Sequence, residues 1–582
     1  PGVHQARTQD QSFNTGSGLQ LSIAGSRPVQ NSVMVDGLSE LDHTGSTPAG
    51  VTGLNLGTNA ILEFNVMTSS YSAQVGKAAG GVISAVTRSG TNDLRGSLHY
   101  AHRNDNLDAR NFFDLSRPPE FRRHQYGFSL GGPVESDRTF FFACVEQLRQ
   151  VRGFTTTDTT LSESARKGDL TAGPVQVDAE IDRLLRLYPK PNGGLLGDTG
   201  LYVFSNDRET LHTFGSGRID HELSQRTHLF LRYSLDDGES VDHTTFRLGR
   251  RSNEIRRQSA VFSQTHVFSP DLLNSFRAGF SRTRTTHGLT QALEQSVDDP
   301  GLAFLPGAAG PGLVDVPGLS RFPGGSGALD ADLAAYNSFQ AYDDFIWTRG
   351  AHSLTFGVSI DRMHLNLDSR TRALGEYRSA DLSDFLSNRP EQFLAQLPGS
   401  DTVRGWRQWL FAWYLQDGIR LSQDLNLELG LRHEWTTVPT EVNRKVANLD
   451  HLYSTEMRVG GSLYNNPSPS RFSPRIGLAW RLPGSRATVL RAGYGIFPDP
   501  LLLHYLLLLG SRNPPFFARG SVQDLASGDF PGNGFERLIQ SGSKDLRVER
   551  IPTNLRQPYV QQWNLTLERR FLSGPMVRAS YV

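Results

Sequence analysis

The segment that decides the fold is Asn59–Asn92, NAILEFNVMTSSYSAQVGKAAGGVISAVTRSGTN. Within it, residues 82–87 (VISAVT) alternate in a way that predicts a β-strand, and Gly80-Gly81 opens that strand. A shorter run upstream, Asn31–Leu38 (NSVMVDGL), predicts another strand that ends in a turn at Asp36-Gly37. The small residues around these strands are typical of backbone that packs closely against other backbone.

Two further segments belong with these: GSLHYAHRNDNLDARNFFD from Gly96 and RRHQYGFSLGGPVESDRTFFFACVEQLR from Arg122. They resemble the plug-to-barrel junction and the first barrel hairpin of TonB-dependent outer-membrane receptors, and within that family the Oar-like group. The resemblance is dense from Ala24 to Arg149 and recurs to the end, as in YVQQWNLTLERRF. It implies a mostly β protein: a transmembrane antiparallel β-barrel, 22-stranded in the family and incomplete here, with an N-terminal α+β plug domain.

The same resemblance implies a division of the chain and a set of site residues. Residues 1–92 would be the plug domain and residues 93–582 the barrel, each incomplete, with a signal peptide and an energy-coupling box expected upstream. The plug signature would be Asp36, Gly37, Gly80 and Gly81. Glu63 and Arg88 would lock the plug to the barrel, because charges in a narrow lumen must pair. The alternative is that these two charges are exposed to solvent.

Composition narrows the functional classes. The chain has 59 basic and 59 acidic residues, and this balance argues against a nucleic-acid partner, which would need a basic face. The 58 glycines, 30 prolines and 10% aromatic residues indicate many strands and turns. Cys144 is the only cysteine, so the chain has neither an intrachain disulfide nor a cysteine metal cluster.

From Asp93 onward the sequence alternates over about ten residues at a time, which is the length that a barrel wall requires. In one clear case, Leu425, Leu427, Leu429 and Leu431 alternate with polar residues or glycine. A soluble β-sandwich shows the same period, so the alternation does not by itself choose between the two folds.

The connections favour a barrel. Tight turns are predicted at Gly132–Asp137, His221–Gln225, Ser269–Pro270, Arg349–Ala351, Ser422–Asp424, Pro483–Arg486 and Ser573–Pro575. Long polar segments are predicted near Asn104–Phe121, Gln150–Thr210, Asp236–Ile255, Arg284–Tyr336, Arg362–Gly405, Thr436–Ser470 and Pro498–Pro558. Short and long connections alternate along the chain, as in outer-membrane barrels with short periplasmic turns and long external loops.

Two further counts bear on the barrel. All seven tryptophans fall in or beside predicted strands, which favours an aromatic girdle at the membrane interface over ordinary core packing. The predicted strands number about fifteen. Since barrels of this kind close with an even number, we expect further strands beyond the C-terminal end.

Motifs for covalent chemistry are weak or missing, so we predict no enzyme activity and no cofactor. The 16 histidines include no HExxH pattern, and Ser164–Lys167 matches S-x-x-K without its companion motifs. Paired aspartates such as Asp298-Asp299 lie outside any EF-hand pattern, and solvated loop acids are the simpler interpretation.

The sequence therefore predicts a receptor of the bacterial outer membrane that takes up a substrate with energy from a TonB-type complex. The partners would be that complex, outer-membrane lipid and an unidentified small-molecule, oligosaccharide or peptide substrate. Two alternatives are a surface attachment or structural barrel without active transport, and a soluble multidomain β enzyme.

Overall fold

The computed structural model describes residues 3–6, 20–45, 50–51, 57–68, 72–110, 112, 118–293, 297–329, 331–483, 488–506, 510–523, 525–543, 548–571 and 574–581. The helices among them are short: α1 Ala179–Leu185, α2 Leu382–Leu386 and α3 Asn533–Ser541. No helix in these ranges is long and apolar enough to cross a membrane.

The described residues before position 92 contain six strands: β1 Val3–Ala6, β2 Gln20–Ile23, β3 Ser32–Val35, β4 Leu38–Ser39, β5 Ile61–Met67 and β6 Val82–Thr87. The described part of this region also has one turn of 3-10 helix, Pro28–Gln30, and no α-helix. Strands β3–β6 form a sheet in the order β4-β3-β6-β5, named here the inner sheet, with β3 parallel to β6. Ile23, Val33 and Ile83 pack together in its core. Both strands predicted from the two glycine-containing segments are confirmed.

The remaining strands are β7 Arg95–Asn104, β8 Phe121–Glu135, β9 Thr139–Leu161, β10 Asp169–Leu170, β11 Gly173–Pro174, β12 Leu195–Leu196, β13 Thr199–Ser224, β14 Thr227–His243, β15 Gly249–Ser269, β16 Leu272–Ala292, β17 Leu313–Asp315, β18 Asp332–Arg349, β19 His352–Ser369, β20 Glu376–Arg378, β21 Gln392–Gln396, β22 Arg404–Arg420, β23 Leu425–Thr436, β24 Thr440–Glu441, β25 Ala447–Asn448, β26 Arg458–Val459, β27 Phe472–Arg481, β28 Thr488–Pro498, β29 Arg519–Gln523, β30 Tyr559–Arg570 and β31 Met576–Tyr581.

Fifteen of these strands form a closed ring, named here the wall: β7–β9, β13–β16, β18, β19, β22, β23, β27, β28, β30 and β31. Neighbours along the chain pair antiparallel, β9 pairs with β13, and β31 lies beside β7, which closes the ring. The number agrees with the count of about fifteen strands made from the sequence, whereas the resemblance implies 22 for the family. Along the rest of the ring each strand is hydrogen-bonded to both of its neighbours, so backbone hydrogen bonds are made between the wall's own strands.

The two ends of the wall differ in the length of their connections, as predicted. At one end the strands join through tight turns, for example between Glu135 and Thr139 and between Arg349 and His352. The turns predicted at Pro483–Arg486 and Ser573–Pro575 lie partly outside the described residues. At the other end most connections are long. The predicted long segment Asp236–Ile255 was wrong, because β14 and β15 keep pairing and leave only residues 244–248 as the connection.

The long connections are not simple polar loops, because they fold together into a cap over one end of the wall. Strands β17, β20, β21 and β29 form a four-stranded sheet, and α3 packs on β21 and β29. The ring of Tyr377 lies 4.7 Å from that of Phe393 and 5.2 Å from that of Phe530, measured between centroids. The cap therefore has an apolar core of its own.

The wall strands present alternate residues to opposite sides. On β23, Leu429 and Leu431 are exposed on the outer face, whereas Arg432 and Glu434 are buried towards the lumen. The outer face also exposes three tryptophans, Trp347, Trp409 and Trp563. Trp406 differs from the predicted girdle, because it is fully buried in an apolar cluster with Leu410 and Leu503.

Candidate functional site: the contact between the inner sheet and the wall

The turn at Asp36-Gly37 brings a carboxylate from the inner sheet to the wall. Asp36 has φ of 50° and Gly37 has φ of 81°, a left-handed pair that ends β3. The Asp36 carboxylate accepts hydrogen bonds from the backbone N and the Oγ1 of Thr87, each 2.9 Å long. It also lies 2.7 Å from Nε of Arg232 on β14 and 3.6 Å from Nη1 of Arg218 on β13. The turn predicted from the sequence is thus an ion-pair site between sheet and wall.

Gly37 suits this turn by its left-handed backbone conformation, and it also lies directly against a wall arginine. A Cβ atom placed on it would lie 2.0 Å from Nη1 of Arg277, a β16 side chain that crosses the turn. Arg277 in turn pairs with Asp344 on β18. A side chain at position 37 would therefore displace an arginine of the wall.

A second acid of the inner-sheet region, Glu40, extends the same pattern. Its carboxylate accepts a 2.6 Å hydrogen bond from Oγ of Ser259 and lies 3.1 Å from Nη2 of Arg257, both on β15. The sheet thus presents two acids, Asp36 and Glu40, to a row of wall arginines. Glu40 was not predicted as a site residue, because nothing in a single sequence marks which acid faces the wall.

Gly80 and Gly81 serve the packing of the inner sheet rather than its contact with the wall. A Cβ on Gly81 would lie 2.2 Å from Cγ2 of Ile23, and one on Gly80 would lie 2.3 Å from Oγ of Ser26. The backbone N of Gly81 donates a 2.8 Å hydrogen bond to Oδ1 of the buried Asn31. The two glycines allow the segment before β6 to approach its neighbours closely.

Glu63 and Arg88 lie on exposed positions of the inner-sheet region. Nε of Arg88 donates a 3.1 Å hydrogen bond to the carbonyl oxygen of Ile61 in the same sheet. In the described residues neither side chain forms an ion pair with the wall. Their role as a lock stays a prediction, and the ion pairs that the structure does show are made by other residues.

Lys77, which the sequence analysis did not single out, is one of those residues. Its Nζ lies 2.6 Å from Oδ1 of Asp361 on β19 and donates a 3.0 Å hydrogen bond to the hydroxyl of Tyr342 on β18. Burial alone would lower the pKa of Lys77, but the Asp361 carboxylate and the Tyr342 hydroxyl raise it above its ordinary value. Lys77 is therefore charged and joins the connection between β5 and β6 to the wall.

Beside Lys77, the connection between β5 and β6 and the wall enclose a cavity of about 240 Å³. Gln74 and Lys77 line one side, and Arg277, Tyr342, Asp344, Tyr414 and Arg432 line the other. Nη1 of Arg432 donates to the carbonyl oxygens of Ala73 and Gln74 at 3.2 and 3.3 Å. Nε2 of Gln74 donates a 3.1 Å hydrogen bond to Asp344. The cavity has both apolar and charged side chains in its lining, and it has room for water next to the ion pairs.

Apolar contacts between this region and the wall or cap are small in the described residues. Leu41 packs into the cluster around Trp406, Ala60 packs against Phe142, and Val75 packs near Phe497. No group of three or more His, Cys, Asp and Glu side chains that could hold a metal ion occurs in the described ranges. The contact is thus dominated by hydrogen bonds and ion pairs.

Comparison with known proteins gives matches in sequence and in structure. The family model described as "Outer membrane beta barrel domain" matches residues 86–582. A segment of 131 residues is 34% identical to the TonB-dependent transporter Oar of Myxococcus xanthus, and it covers 21% of this chain and 12% of Oar.

The fold is also found in solved structures of other outer-membrane proteins, of which two serve for comparison. The outer membrane transporter YddB from Escherichia coli superposes with a TM-score of 0.60 at 13% identity, over 100% of this chain and 65% of YddB. A mutant of the ferric enterobactin receptor PfeA from Pseudomonas aeruginosa, in complex with enterobactin, gives 0.54 at 12% identity, over 100% and 67%. The chain therefore spans about two thirds of the length of these structures.

Proposed function

This chain belongs to the outer membrane beta barrel domain family and lies in the bacterial outer membrane, and we propose that it is part of a TonB-dependent receptor. In this proposal the whole protein takes up a substrate by moving the inner-sheet region within the wall. The substrate is an unidentified small molecule, oligosaccharide or peptide, and no covalent chemistry is involved. Energy would come from a TonB-type complex that acts on the chain upstream of the barrel.

The observation that carries the proposal is the polar nature of the contact between inner sheet and wall. Lys77–Asp361, Asp36–Arg232 and Glu40–Arg257 are ion pairs between the two parts, all of them buried. In such pairs the cost of removing both charges from water nearly cancels their attraction. The contact is therefore specific in geometry but can separate into water without exposing a large apolar core.

The experiment uses Cys144, the single cysteine of this chain, as a reporter of movement, with any cysteine elsewhere in the whole protein replaced by serine. Cys144 is buried on the lumen side of β9, in a cluster with Ala60 and Phe214. Labelling of Cys144 by a membrane-permeant maleimide should increase when cells are energised and substrate-containing medium is supplied. It should stay low in cells that lack the TonB-type complex.

Movement of the inner-sheet region can be blocked by a disulfide that fixes it to the wall. The double variant Ala73→Cys with Gly430→Cys provides this disulfide. A Cβ atom on Gly430 would lie 3.0 Å from Cβ of Ala73, so the two thiols are close enough to bond after a small shift. The oxidised variant should lose the energised labelling of Cys144, and a reductant should restore it. The control is Ser97→Cys with Ser129→Cys, two wall residues whose hydroxyl oxygens are 2.8 Å apart.

The surface attachment alternative gives a different result in the same experiment. The cap has its own apolar core, so it forms a folded surface at this end of the wall, as an attachment barrel would require. If Cys144 labelling is equally low with and without the energy-transducing complex, movement of the inner sheet is not energised and the attachment barrel is favoured.

A further inference from the structure

A pocket of about 150 Å³ lies where β27, β28 and β30 reach the end of the wall that carries the cap, and it is named here the Gln557 pocket. Phe472 and Tyr559, in its lining, are both exposed on the outer face. Gln562, on the opposite face of β30, instead donates a 3.1 Å hydrogen bond to the carbonyl oxygen of Ala79 in the inner-sheet region. The pocket therefore opens outward and is separate from the contact between inner sheet and wall.

The side chain of Gln557 is buried in this pocket without a partner. Only 3% of the residue is exposed, and within the part of the chain that the structure describes neither Nε2 nor Oε1 has a hydrogen-bond partner. A buried carboxamide in this state costs free energy, because it has given up its hydrogen bonds to water. Since the group both donates and accepts, a ligand with an adjacent N–H and carbonyl oxygen, that is a secondary amide, satisfies both atoms.

A cation lies at the edge of the same pocket. The guanidinium carbon of Arg471 is 5.7 Å from the centroid of the Tyr559 ring, and Arg471 also lines the pocket. Among the described residues its guanidinium is in no ion pair, so a cation–π contact rather than an acid holds it in place. A phosphate can therefore bind this guanidinium in a bidentate manner without displacing a carboxylate of the protein.

The height of the pocket matches the outer border of the membrane. Phe472 begins β27, which runs for ten residues to Arg481 at the end with the tight turns, and about 9–11 residues cross the hydrocarbon layer. The ring of Phe472 stacks on that of His433 with 4.5 Å between centroids, and His433 stacks on Trp435 at 4.8 Å. Outward rows of aromatic rings are typical of the level at which hydrocarbon meets headgroups.

Between the pocket and the tight turns, the outer face is apolar. Ile476 on β27 and Trp563, Leu565 and Leu567 on β30 are exposed there. Hydrocarbon chains that start at the pocket can lie along these side chains. The occupant is therefore an amphiphile of the outer leaflet, with its polar part at Gln557 and its chains directed towards the middle of the membrane.

We propose that the Gln557 pocket binds a glycolipid of the outer leaflet in which acyl chains are joined by amide bonds to a phosphorylated amino sugar. The amide N–H of the lipid donates to Oε1 of Gln557, and its carbonyl oxygen accepts from Nε2. The sugar phosphate lies on Arg471, and the first part of the acyl chain contacts Phe472 and Tyr559. A phospholipid with ester bonds fits less well, because an ester accepts hydrogen bonds but cannot donate one to Oε1.

The test is native mass spectrometry of the whole protein in detergent, with added lipid A or phosphatidylglycerol. The wild-type protein should retain lipid A at least about tenfold better, which is the size expected for one or two net hydrogen bonds. Gln557→Leu should abolish this preference and leave phosphatidylglycerol unchanged, whereas Arg471→Gln should weaken both lipids. The measurement needs neither substrate nor the TonB-type complex, so its result is independent of the proposed uptake function.

Two controls separate binding from folding. Arg569→Gln removes another arginine of the wall, whose guanidinium carbon lies 5.2 Å from the ring of Phe571 at the opposite end of β30, and lipid A retention should not change. Gln557→Leu should lose its heat-modifiable gel mobility at the same temperature as wild type or a higher one, because the amide has no partner in the described residues. Earlier unfolding of Gln557→Leu would show a structural role for the amide and overturn the assignment.

The occupant in cells is identified by a photoreactive phenylalanine analogue placed at position 559. After illumination of intact cells, we expect an adduct that antibodies against lipopolysaccharide recognise. An adduct with a protein instead would overturn the glycolipid as occupant. Equal retention of lipid A and phosphatidylglycerol by the wild-type protein, or a lipid A preference that survives in Gln557→Leu, would overturn the amide as the basis of recognition.

Discussion

Nζ of Lys77 lies 2.6 Å from Oδ1 of Asp361, with 8% of the lysine side chain and none of the aspartate side chain exposed. This pair joins a connection of the inner sheet to a strand of the wall 284 residues further along the chain. Its burial makes it sensitive to the loss of either partner, because the remaining charge is left buried without its counter-charge.

Removing one member of this pair should weaken the inner sheet's attachment. Asp361→Leu leaves Lys77 buried and unpaired, and the expected cost is about 3–5 kcal/mol. Lys77→Met with Asp361→Leu should recover much of that loss, because no buried charge remains. Amide hydrogen exchange of β6 measures the effect, and Arg95→Ala, which breaks an exposed pair with Asp93, is the neutral control. A double variant as weak as Asp361→Leu would show that the unpaired charge is not the cause of the loss.

Removing the inner-sheet region should allow the wall to conduct ions. Deleting residues 1–92 from the whole protein should leave a barrel that inserts, because the wall strands satisfy their hydrogen bonds with each other. That form should conduct ions in a planar bilayer. Asp36→Ala should give a partial leak, since Arg218 and Arg232 lose their counter-charge.

The predicted lock residues can be ranked in the same measurement. Glu63→Ala and Arg88→Ala should leak less than Asp36→Ala, because neither side chain is in an ion pair with the wall in the described residues. A leak from Glu63→Ala equal to that of Asp36→Ala would restore Glu63 as a principal lock. A deletion that inserts but conducts no more than the parent would show that residues 1–92 do not fill the pore.

The two faces of β23 predict opposite responses to arginine. Leu429 is exposed on the outer face, and a lipid-facing arginine near mid-membrane costs about 2–4 kcal/mol. Glu428 lies on the face of Gly430, where a Cβ would touch Ala73 of the inner-sheet region. Leu429→Arg should therefore lower assembly yield in isolated outer membranes, and Glu428→Arg should be tolerated. The reverse order of yields would mean that the register of this strand is incorrect.

Topology predicts which tags can be reached on intact cells. At Gly197, between the exposed Leu196 and β13, an added Cβ would meet nothing within 4 Å, so an inserted epitope has room there. An epitope at Asp137, in the tight turn between β8 and β9, should be labelled only after the cells are opened. Equal labelling of both sites on intact cells would refute the orientation of the barrel.

The contact between cap and inner sheet should weaken with acid. The ring of His504 lies against Gly45, with its Nε2 buried and without a hydrogen-bond partner in the described residues. Burial lowers the pKa of His504 from 6.5 to about 4. Since the unfolded chain binds the proton more readily between these values, stability is complete above pH 6.5 and falls as the pH decreases towards 4.

Hydrogen exchange of residues 41–45 measures this effect at about pH 7 and about pH 4.5, on either side of the ordinary histidine pKa. His504→Gln should remove the part of the acid sensitivity that comes from the imidazole. Tyr505→Phe, a change at the next residue that leaves the imidazole in place, should keep it. Identical pH profiles for wild type and His504→Gln would show that the histidine does not titrate in this window.

Much of the wall could be predicted from the sequence because its signals are local. Alternation along a strand such as β23 follows from a period of two, and tight turns such as 132–137 are marked by glycine and proline. The turn at Asp36-Gly37 and the strand after Gly80-Gly81 were also visible, since each depends on neighbours within a few residues.

Only the tertiary structure decided which charges meet. Asp36, Glu40 and Lys77 find partners on wall strands that are far away along the chain. Glu63 and Arg88 resemble them in sequence but lie exposed. The cap escaped prediction for the same reason, because each long connection contributes only a few apolar residues to a shared core. A single sequence contains the periodicity of each strand, whereas the pairing of distant side chains depends on how the ring closes around the inner sheet.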